Sequence, residues 1–200
     1  MKRRQALRSA VAVMLSLTAS RLTAQKLGHA DGRELIGHPA PSLDLKQWLH
    51  SRPLEINDLR GKVVLLRWWT QGCELCTATA PALRKLQSEY ADRGLLVIGI
   101  YHPKPPGNWD INRVESAAKE KQFSFPVALD GDWTALKRWW LTQDRDFTSV
   151  SFLLDRTGIV RYVHPGGEFH EGTLGALTNH ESCHRDFHTI ETEIVRLLAE

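Results

Sequence analysis

The chain has 200 residues, of which 42% are hydrophobic and 24% are charged, and its formal net charge is +3. These values are typical of one globular domain with a sizeable core and a short appendage. Three cysteines are too few for a disulfide-rich scaffold. The small net charge, without a basic stripe, predicts no nucleic-acid partner.

The N-terminus has the pattern of an export signal. Basic residues, including a pair of arginines, lie within positions 2–8, and an apolar stretch follows over 10–19. This stretch is shorter than the roughly 17 residues needed to span a bilayer. We therefore expect residues 1–24 to be a signal peptide of the Sec or twin-arginine type, followed by a polar linker at 25–38. The mature chain is then periplasmic or otherwise exported, and it has no membrane span.

The rest of the chain, residues 39–200, alternates between predicted strands and helices. Apolar runs predict buried strands at 63–69 and 95–101, and apolar residues at spacings of three and four predict a helix at 74–90. Further segments predict a helix, a strand, a helix, a β-hairpin and a closing helix: 110–121, 126–129, 133–140, 150–163 and 187–198. This order predicts an α/β fold whose mixed central β-sheet has helices on both faces.

A Cys-x-x-Cys motif, Cys73 to Cys76, lies where the first of these strands meets its helix. The thiolate is the nucleophile in disulfide exchange, and a helix N-terminus favours negative charge. We therefore expect Cys73 to attack a disulfide of a partner protein and Cys76 to resolve the mixed disulfide. A half zinc site is the alternative, but a structural zinc needs two more ligands and a second Cys-x-x-Cys is absent.

The run from Leu59 to Pro81 resembles the thioredoxin superfamily, and within it the bacterial periplasmic disulfide reductases of the TlpA/ResA type, with a redoxin (AhpC/TSA-like) domain. The Arg-Gly-Lys-Val-Val lead-in, Trp69 four residues before the first cysteine, and the Ser-Phe-Leu-Leu-Asp-x-x-Gly run that begins at Ser151 carry this resemblance. The resemblance covers residues 39–200. It implies a thioredoxin-like fold and a periplasmic role in exchange with protein thiols and disulfides. It also implies that an electron-donor protein supplies the electrons and that the reaction needs no cofactor.

The chain departs from this family's pattern around the cysteines. Gly72 stands where tryptophan is usual, Leu75 stands where proline is common, and Ser149 aligns with the family's cis-proline. A cis bond before a residue other than proline costs roughly 2.5–4 kcal/mol. We therefore expect a trans Thr148–Ser149 peptide and a hydroxyl from one of these two residues directed toward Cys73. The alternative is that this hydroxyl only satisfies local backbone groups.

Arg67 is a further departure, since the family often has aspartate or asparagine at this position. Its cation is expected either to stabilise the Cys73 thiolate or to pair with a carboxylate such as Glu74. The alternative is that Arg67 reaches water at the edge of the sheet. The residues around the pair set its redox poise, so the direction of electron flow stays open.

Histidines and cysteine are concentrated near the C-terminus, where five of the nine histidines follow residue 163 and surround Cys183. A metal site is one interpretation. Cys183 lies four residues before Phe187, however, so we expect it to face the core, and we predict no metal. His102 is expected to be a solvated loop histidine, and the tryptophans at 68, 69, 139 and 140 are expected in the core.

Two other functions compete with disulfide exchange. A peroxiredoxin is suggested by Thr70-x-x-Cys73, the end of a Pro-x-x-x-Thr-x-x-Cys motif, although Leu66 holds the proline position. A copper carrier of the Sco type uses Cys-x-x-x-Cys with a distal histidine, and the spacing here is one residue shorter. The sequence favours a thiol-disulfide oxidoreductase over both.

Overall fold

The computed structural model describes residues 31–141, 145–172 and 181–200. The predicted signal peptide, residues 1–24, lies outside these ranges. The strands and helices are β1 Trp48–Leu49, β2 Val63–Trp69, α1 Glu74–Tyr90, β3 Leu95–Tyr101, α2 Ile111–Glu120, β4 Val127–Leu129, α3 Thr134–Trp139, β5 Ser151–Leu154, β6 Val160–His164 and α4 Glu181–Leu198. The six strands form one sheet in the order β1-β4-β3-β2-β5-β6.

Strand β2 lies inside the sheet and is buried along its whole length. It pairs in parallel with β3, from Val63 opposite Leu95 to Trp69 opposite Tyr101. On its other side it pairs antiparallel with β5, where Arg67 lies opposite Ser151. A strand covered on both faces reads as a continuous apolar run, which is why the sequence predicts its bounds well.

The sheet separates two apolar cores. Helices α1, α2 and α4 cover one face, and their buried side chains include Leu83, Val114 and Phe187. Helix α3 and the chain before β1 cover the other face, where Trp68, Trp139 and Trp140 are buried beside Leu43 and Phe152. The predicted α/β fold with a mixed sheet between helices is confirmed, as is the core position of the tryptophans.

Two features near the N-terminal end of the described chain have no clear signal in the sequence. Strand β1 pairs antiparallel with β4. It has only two residues, so it is too short to show the alternating pattern of a strand. The chain before it contains a 3-10 helix, Arg33–Leu35. Gly32, with φ 77°, caps this helix, and a Cβ there would lie 2.8 Å from a Trp140 ring atom. Glycine is therefore needed where this segment meets the core.

None of the helices in the described part of the chain combines the length and apolar character that crossing a bilayer requires.

His102, directly after β3, is fully buried, so the expectation of a solvated loop histidine is wrong. Its backbone N–H donates to the Trp69 carbonyl at 2.9 Å, and the Trp133 indole donates to the Pro103 carbonyl at 2.7 Å. These bonds hold the loop against the sheet. Burial, with the nearby cations Lys104 and Arg67, lowers the pKa of His102 to about 3.

We expect acid to destabilise the fold through His102. At pH values between the folded pKa of His102 and its unfolded pKa of about 6.5, the imidazole is protonated in the unfolded chain and neutral in the folded chain. The free energy of unfolding therefore falls as the pH falls through this window. This residue contributes up to about 1.4 kcal/mol of unfolding free energy per pH unit in that window. Urea unfolding between pH 7 and pH 4 should show a shallower pH dependence in His102→Phe than in wild type. The exposed His38→Phe is the matched control, and an equal slope in all three proteins contradicts the assignment.

Candidate active site

Cys73 and Cys76 form a disulfide at the N-terminus of α1, with their Cα atoms 5.2 Å apart. Cys73 is the N-cap residue, and its Sγ accepts a hydrogen bond from the Cys76 backbone N–H at 3.2 Å. Cys73 is partly exposed, whereas Cys76 is 2% exposed. The pair is therefore asymmetric, because only the first sulfur sits at the helix cap with access to solvent.

Gly72 explains one departure from the family pattern. It joins the end of β2 to α1 with φ 71°, a left-handed conformation that a tryptophan would adopt only with strain. The turn aims the chain so that Cys73 begins the helix. Leu75, between the two cysteines, is 43% exposed and lies on the surface beside the disulfide.

Ser149 lies on the other side of the sulfurs. The cis peptide bond among the described residues is Lys104–Pro105, so the expected trans Thr148–Ser149 bond is confirmed. The Ser149 hydroxyl is 3.2 Å from Cys76 Sγ and 3.9 Å from Cys73 Sγ. It therefore reaches the pair, but it lies nearer to Cys76 than to the expected Cys73. A disulfide sulfur carries no hydrogen, so the hydroxyl is the donor.

Thr148 forms no hydrogen bond with the sulfurs among the described residues. Its side chain is buried, and its hydroxyl has no hydrogen-bond partner in that part of the chain. Phe147, one residue earlier, is 66% exposed, and its carbonyl accepts from the Trp140 indole at 2.7 Å. Phe147 and Leu75 thus place apolar surface on both segments that flank the disulfide.

Arg67 is 0% exposed, so the alternative in which it reaches water is wrong, and the expected pairing with Glu74 does not form. Its guanidinium donates to Ser151 Oγ at 3.2 Å and to the Gly167 carbonyl at 2.7 Å, and it lies over the Phe169 ring. β2 is an inner strand, so the side chain cannot reach a sheet edge. Glu74 is exposed on α1, and among the described residues Arg67 forms no ion pair. Burial lowers the pKa of Arg67 to about 9.

His164, at the end of β6, belongs to the same polar cluster and was missed by the sequence analysis. It lies opposite Ser151 in the sheet, and its Nε2 is 3.3 Å from Asp186 Oδ2. Burial and then the Arg67 cation lower the pKa of His164 to about 4, although Asp186 opposes them. The one available signal was a histidine inside an apolar strand pattern.

Trp69 and Glu74 lie on the two elements that meet at the pair. Trp69 is buried in the same core cluster as Cys76 and packs edge-on against Tyr101 and Phe123, with ring centroids 4.9 and 5.2 Å away. Glu74 opens the first turn of α1, where a carboxylate complements the helix dipole. The first residue fixes the end of β2, and the second stabilises the start of the helix.

A Cys-x-x-Cys disulfide at a strand–helix junction, on a mixed sheet that ends in a β-hairpin, defines a thioredoxin-like protein. The model of the AhpC/TSA family matches residues 36–163, and the chain belongs to this family. The resemblance to the thioredoxin superfamily and its ResA-like redoxin domains is thereby confirmed.

Relatives and solved structures agree with this placement. The chain is 31% identical to protein DipZ of Mycobacterium tuberculosis over 154 residues, which are 72% of this chain and 21% of DipZ. It is 28% identical to the thiol-disulfide oxidoreductase ResA of Bacillus thuringiensis subsp. konkukian over 125 residues, 62% of this chain and 66% of ResA. A thiol:disulfide interchange protein from a Bacteroides species shares the fold, with TM-score 0.58 and 19% identity over 80% of this chain and 90% of that chain. The chain thus spans about a fifth of the length of DipZ.

We expect Ser149→Ala to weaken the reduced form of the pair. In the reduced form the hydroxyl can donate to the Cys73 thiolate, whose Sγ lies 3.9 Å away in the disulfide state, and a hydrogen bond of this kind contributes about 1 kcal/mol. The variant should therefore have a reduction potential lower by roughly 20 mV, measured by equilibration with glutathione. Ser88→Ala, on the exposed face of α1, is the control. Equal potentials in both variants and wild type show that the hydroxyl has only a structural role.

Proposed function

We propose that the protein is an exported thiol-disulfide oxidoreductase that exchanges disulfides with partner proteins. The observation that carries the proposal is the accessible Cys73 sulfur at the N-terminus of α1, bonded to the buried Cys76 sulfur. Unpaired N–H groups of the first helical turn favour a thiolate at the cap. A low-pKa, partly exposed thiol with a second thiol one turn away is what exchange requires.

The exchange proceeds in two steps. In the reducing direction, the Cys73 thiolate attacks one sulfur of a partner disulfide, and the other partner sulfur leaves as a thiolate. Cys76 then loses its proton and attacks Cys73 Sγ, which releases the partner as a dithiol and leaves the Cys73–Cys76 disulfide. The partner gains two electrons, and an electron-donor protein restores the enzyme dithiol by the same steps in reverse.

Protein substrates fit the surface around the pair. Leu75 and Phe147 are 43% and 66% exposed, and they lie on the two segments that flank the disulfide. Exposed apolar side chains beside a reactive centre typically mark a contact surface for another protein. ResA, a relative, is named a thiol-disulfide oxidoreductase, which supports the same reaction here.

The two competing functions have less support. The AhpC/TSA family match does not itself separate a peroxidase from a reductase, but the disulfide between Cys73 and Cys76 favours exchange. For a copper carrier, a histidine should lie beside the two sulfurs. Within the described ranges, the group of three potential ligand atoms within 4.8 Å of one another does not include this pair.

Trapping tests the reaction and the order of attack. Cys76→Ser removes the resolving thiol, so mixed disulfides between Cys73 and partner proteins should accumulate in cells. Cys73→Ser should trap none, because the buried Cys76 lacks both the helix cap and access to partners. Non-reducing gels with mass spectrometry of the trapped adducts are the measurement.

The control for trapping is the double variant Cys73→Ser/Cys76→Ser, which reports any adducts formed by Cys183. The opposite pattern, with adducts in Cys73→Ser alone, reverses the assigned roles. Peroxide consumption by Cys76→Ser at the rate of wild type, without any adducts, favours the peroxidase.

Arg67 bears on the direction of electron flow. It lies on β2, six residues before Cys73, and it donates a hydrogen bond to Ser151. Ser151 follows Ser149 by two residues, and the Ser149 hydroxyl contacts Cys76 Sγ. No carboxylate pairs with this guanidinium in the described part of the chain, and a buried cation of this kind favours an anion nearby. We propose that Arg67 stabilises the thiolate form of the pair and so makes the protein more oxidising.

Arg67→Met should therefore raise the thiolate pKa by about one unit and lower the reduction potential by roughly 30 mV. Absorbance titration of the thiolate and equilibration with glutathione measure the two values. The exposed Arg60→Met is the control for a general loss of charge. If both values stay at wild type in Arg67→Met, the cation acts only in packing.

Export is proposed from the N-terminal pattern alone. A basic segment, an apolar stretch and small residues up to Ala24 predict cleavage, so the mature chain should begin near Ser20 or Gln25. The intact mass of the protein recovered from the periplasm tests this. Full-length protein confined to the cytosol contradicts both the signal peptide and the exported role.

A further inference from the structure

Three potential metal ligands converge away from the redox pair. Glu168 and His170 lie in the segment after β6, and Cys183 lies in the first turn of α4. One ligand atom from each residue falls within 4.8 Å of the other two. The His170 backbone N–H donates to the Cys183 carbonyl at 3.4 Å, which ties the two segments together. This cluster does not depend on the disulfide.

The sulfur and the carboxylate are already at the spacing that a tetrahedral ion imposes. Cys183 Sγ lies 3.5 Å from Glu168 Oε1, and the thiol donates to this oxygen. With Zn–S and Zn–O distances of about 2.3 and 2.1 Å at a tetrahedral angle, the two atoms would lie about 3.6 Å apart. An ion that replaces the thiol proton therefore needs almost no movement of these two groups.

His170 is oriented as histidine ligands of metals usually are. Its side chain is nine-tenths buried or more, since the residue is 2% exposed, and its Nδ1 lies 2.8 Å from the Gly172 carbonyl. A carbonyl oxygen only accepts, so Nδ1 is the donor in this bond, and Nε2 is the ring nitrogen that would bind an ion. A backbone carbonyl on the far ring nitrogen is the typical outer partner of a metal-bound imidazole.

The backbone under the cluster is anchored on both sides of its ligands. The Gly167 carbonyl accepts from Arg67 at 2.7 Å, and the Phe169 N–H lies 3.3 Å from Thr79 Oγ1, with the Phe169 ring fully buried. On α4, the buried Phe187 fixes the turn that carries Cys183. The donors therefore project from segments that packing holds in place, as a metal site requires.

We propose that Cys183, His170 and Glu168 bind one Zn²⁺ ion, with the fourth position open to water. The thiolate, imidazole and carboxylate are all ligands that zinc accepts, and together they supply two negative charges for the ion. Binding releases the Cys183 proton. It also withdraws the third thiol from exchange with the Cys73–Cys76 disulfide. This proposal replaces the expectation of a metal-free chain with Cys183 facing the core.

A second pair of nitrogens lies close by and must be separated from this site. His184 and His188 are one turn apart on α4, and their Nε2 atoms are 3.3 Å apart. Both side chains are exposed. Two histidines at this spacing chelate transition metals weakly by themselves. The experiment therefore includes a variant that removes this pair alone.

Co²⁺ is the probe, because a cobalt–thiolate bond gives a charge-transfer band that histidine or carboxylate ligands do not. The full chain carrying Cys73→Ser/Cys76→Ser, which cannot bind through the redox pair, is titrated with Co²⁺ and then with Zn²⁺. The expected result is a thiolate-to-cobalt band that saturates at one equivalent and is abolished by one equivalent of Zn²⁺.

Variants on this background identify the ligands. Cys183→Ser should abolish the band, and Glu168→Gln and His170→Gln should each weaken Co²⁺ binding roughly tenfold or more. His184→Ala/His188→Ala should leave the band and its midpoint unchanged. Circular dichroism checks folding, and Glu168→Gln keeps the test decisive if the buried His170 variant fails to fold.

The reactivity of Cys183 gives a second measurement. Zn²⁺ should slow alkylation of this thiol at least tenfold in the Cys73→Ser/Cys76→Ser chain, and Glu168→Gln should remove most of that protection. Absence of the charge-transfer band, its persistence in Cys183→Ser, or its loss in His184→Ala/His188→Ala overturns the proposal. Disulfide exchange by wild type is unaffected by any of these outcomes, so the proposed function is tested separately.

Discussion

The burial of β2 is the constraint on which the rest of the structure depends. Each of its seven residues is buried, and it is hydrogen-bonded to β3 on one side and β5 on the other. Burying an aliphatic or aromatic side chain contributes about 1.5–3 kcal/mol, and a shift of register by one residue would move every side chain to the opposite face. The strand therefore has one position, and its end fixes where Cys73 begins α1. The pairing with β5 then brings Ser149 to the sulfurs.

The fold was predictable where a local pattern decides it. The bounds of β2, α1 and β3 agree between sequence and structure, because a doubly buried strand and an amphipathic helix each impose a period on the chain. β1 was not predictable, since two residues carry no period and only pairing with β4 makes them a strand. The Cys-x-x-Cys pair was found for a similar reason, because its spacing is local.

The surroundings of the pair could not be predicted, because distant segments determine them. Gly167, whose carbonyl accepts from Arg67, lies 100 residues along the chain from it, and Ser151 lies 84 residues away. The burial of His102 could not be predicted for the same reason, since hydrogen bonds to Trp69 and Trp133 hold the loop that begins at this residue against the sheet. A polar residue in an apolar pattern signals burial, but its partner comes from packing alone. Cys183 likewise faces Glu168, not the core, because the segment after β6 passes beside α4.

The buried charges divide between the two faces of the sheet. Asp130 is buried on the face of Trp68, where its carboxylate accepts from the Trp68 indole and two backbone N–H groups of α3, so it does not neutralise Arg67. His164 and His102 stay neutral near Arg67, since burial and this cation lower the pKa of both. In the disulfide state the acceptors of Arg67 within the described ranges are both neutral, the Ser151 hydroxyl and the Gly167 carbonyl. Under the role proposed for Arg67, the thiolate formed on reduction is the anion that a buried cation favours, and part of the cost of burying Arg67 then favours the reduced form of the pair.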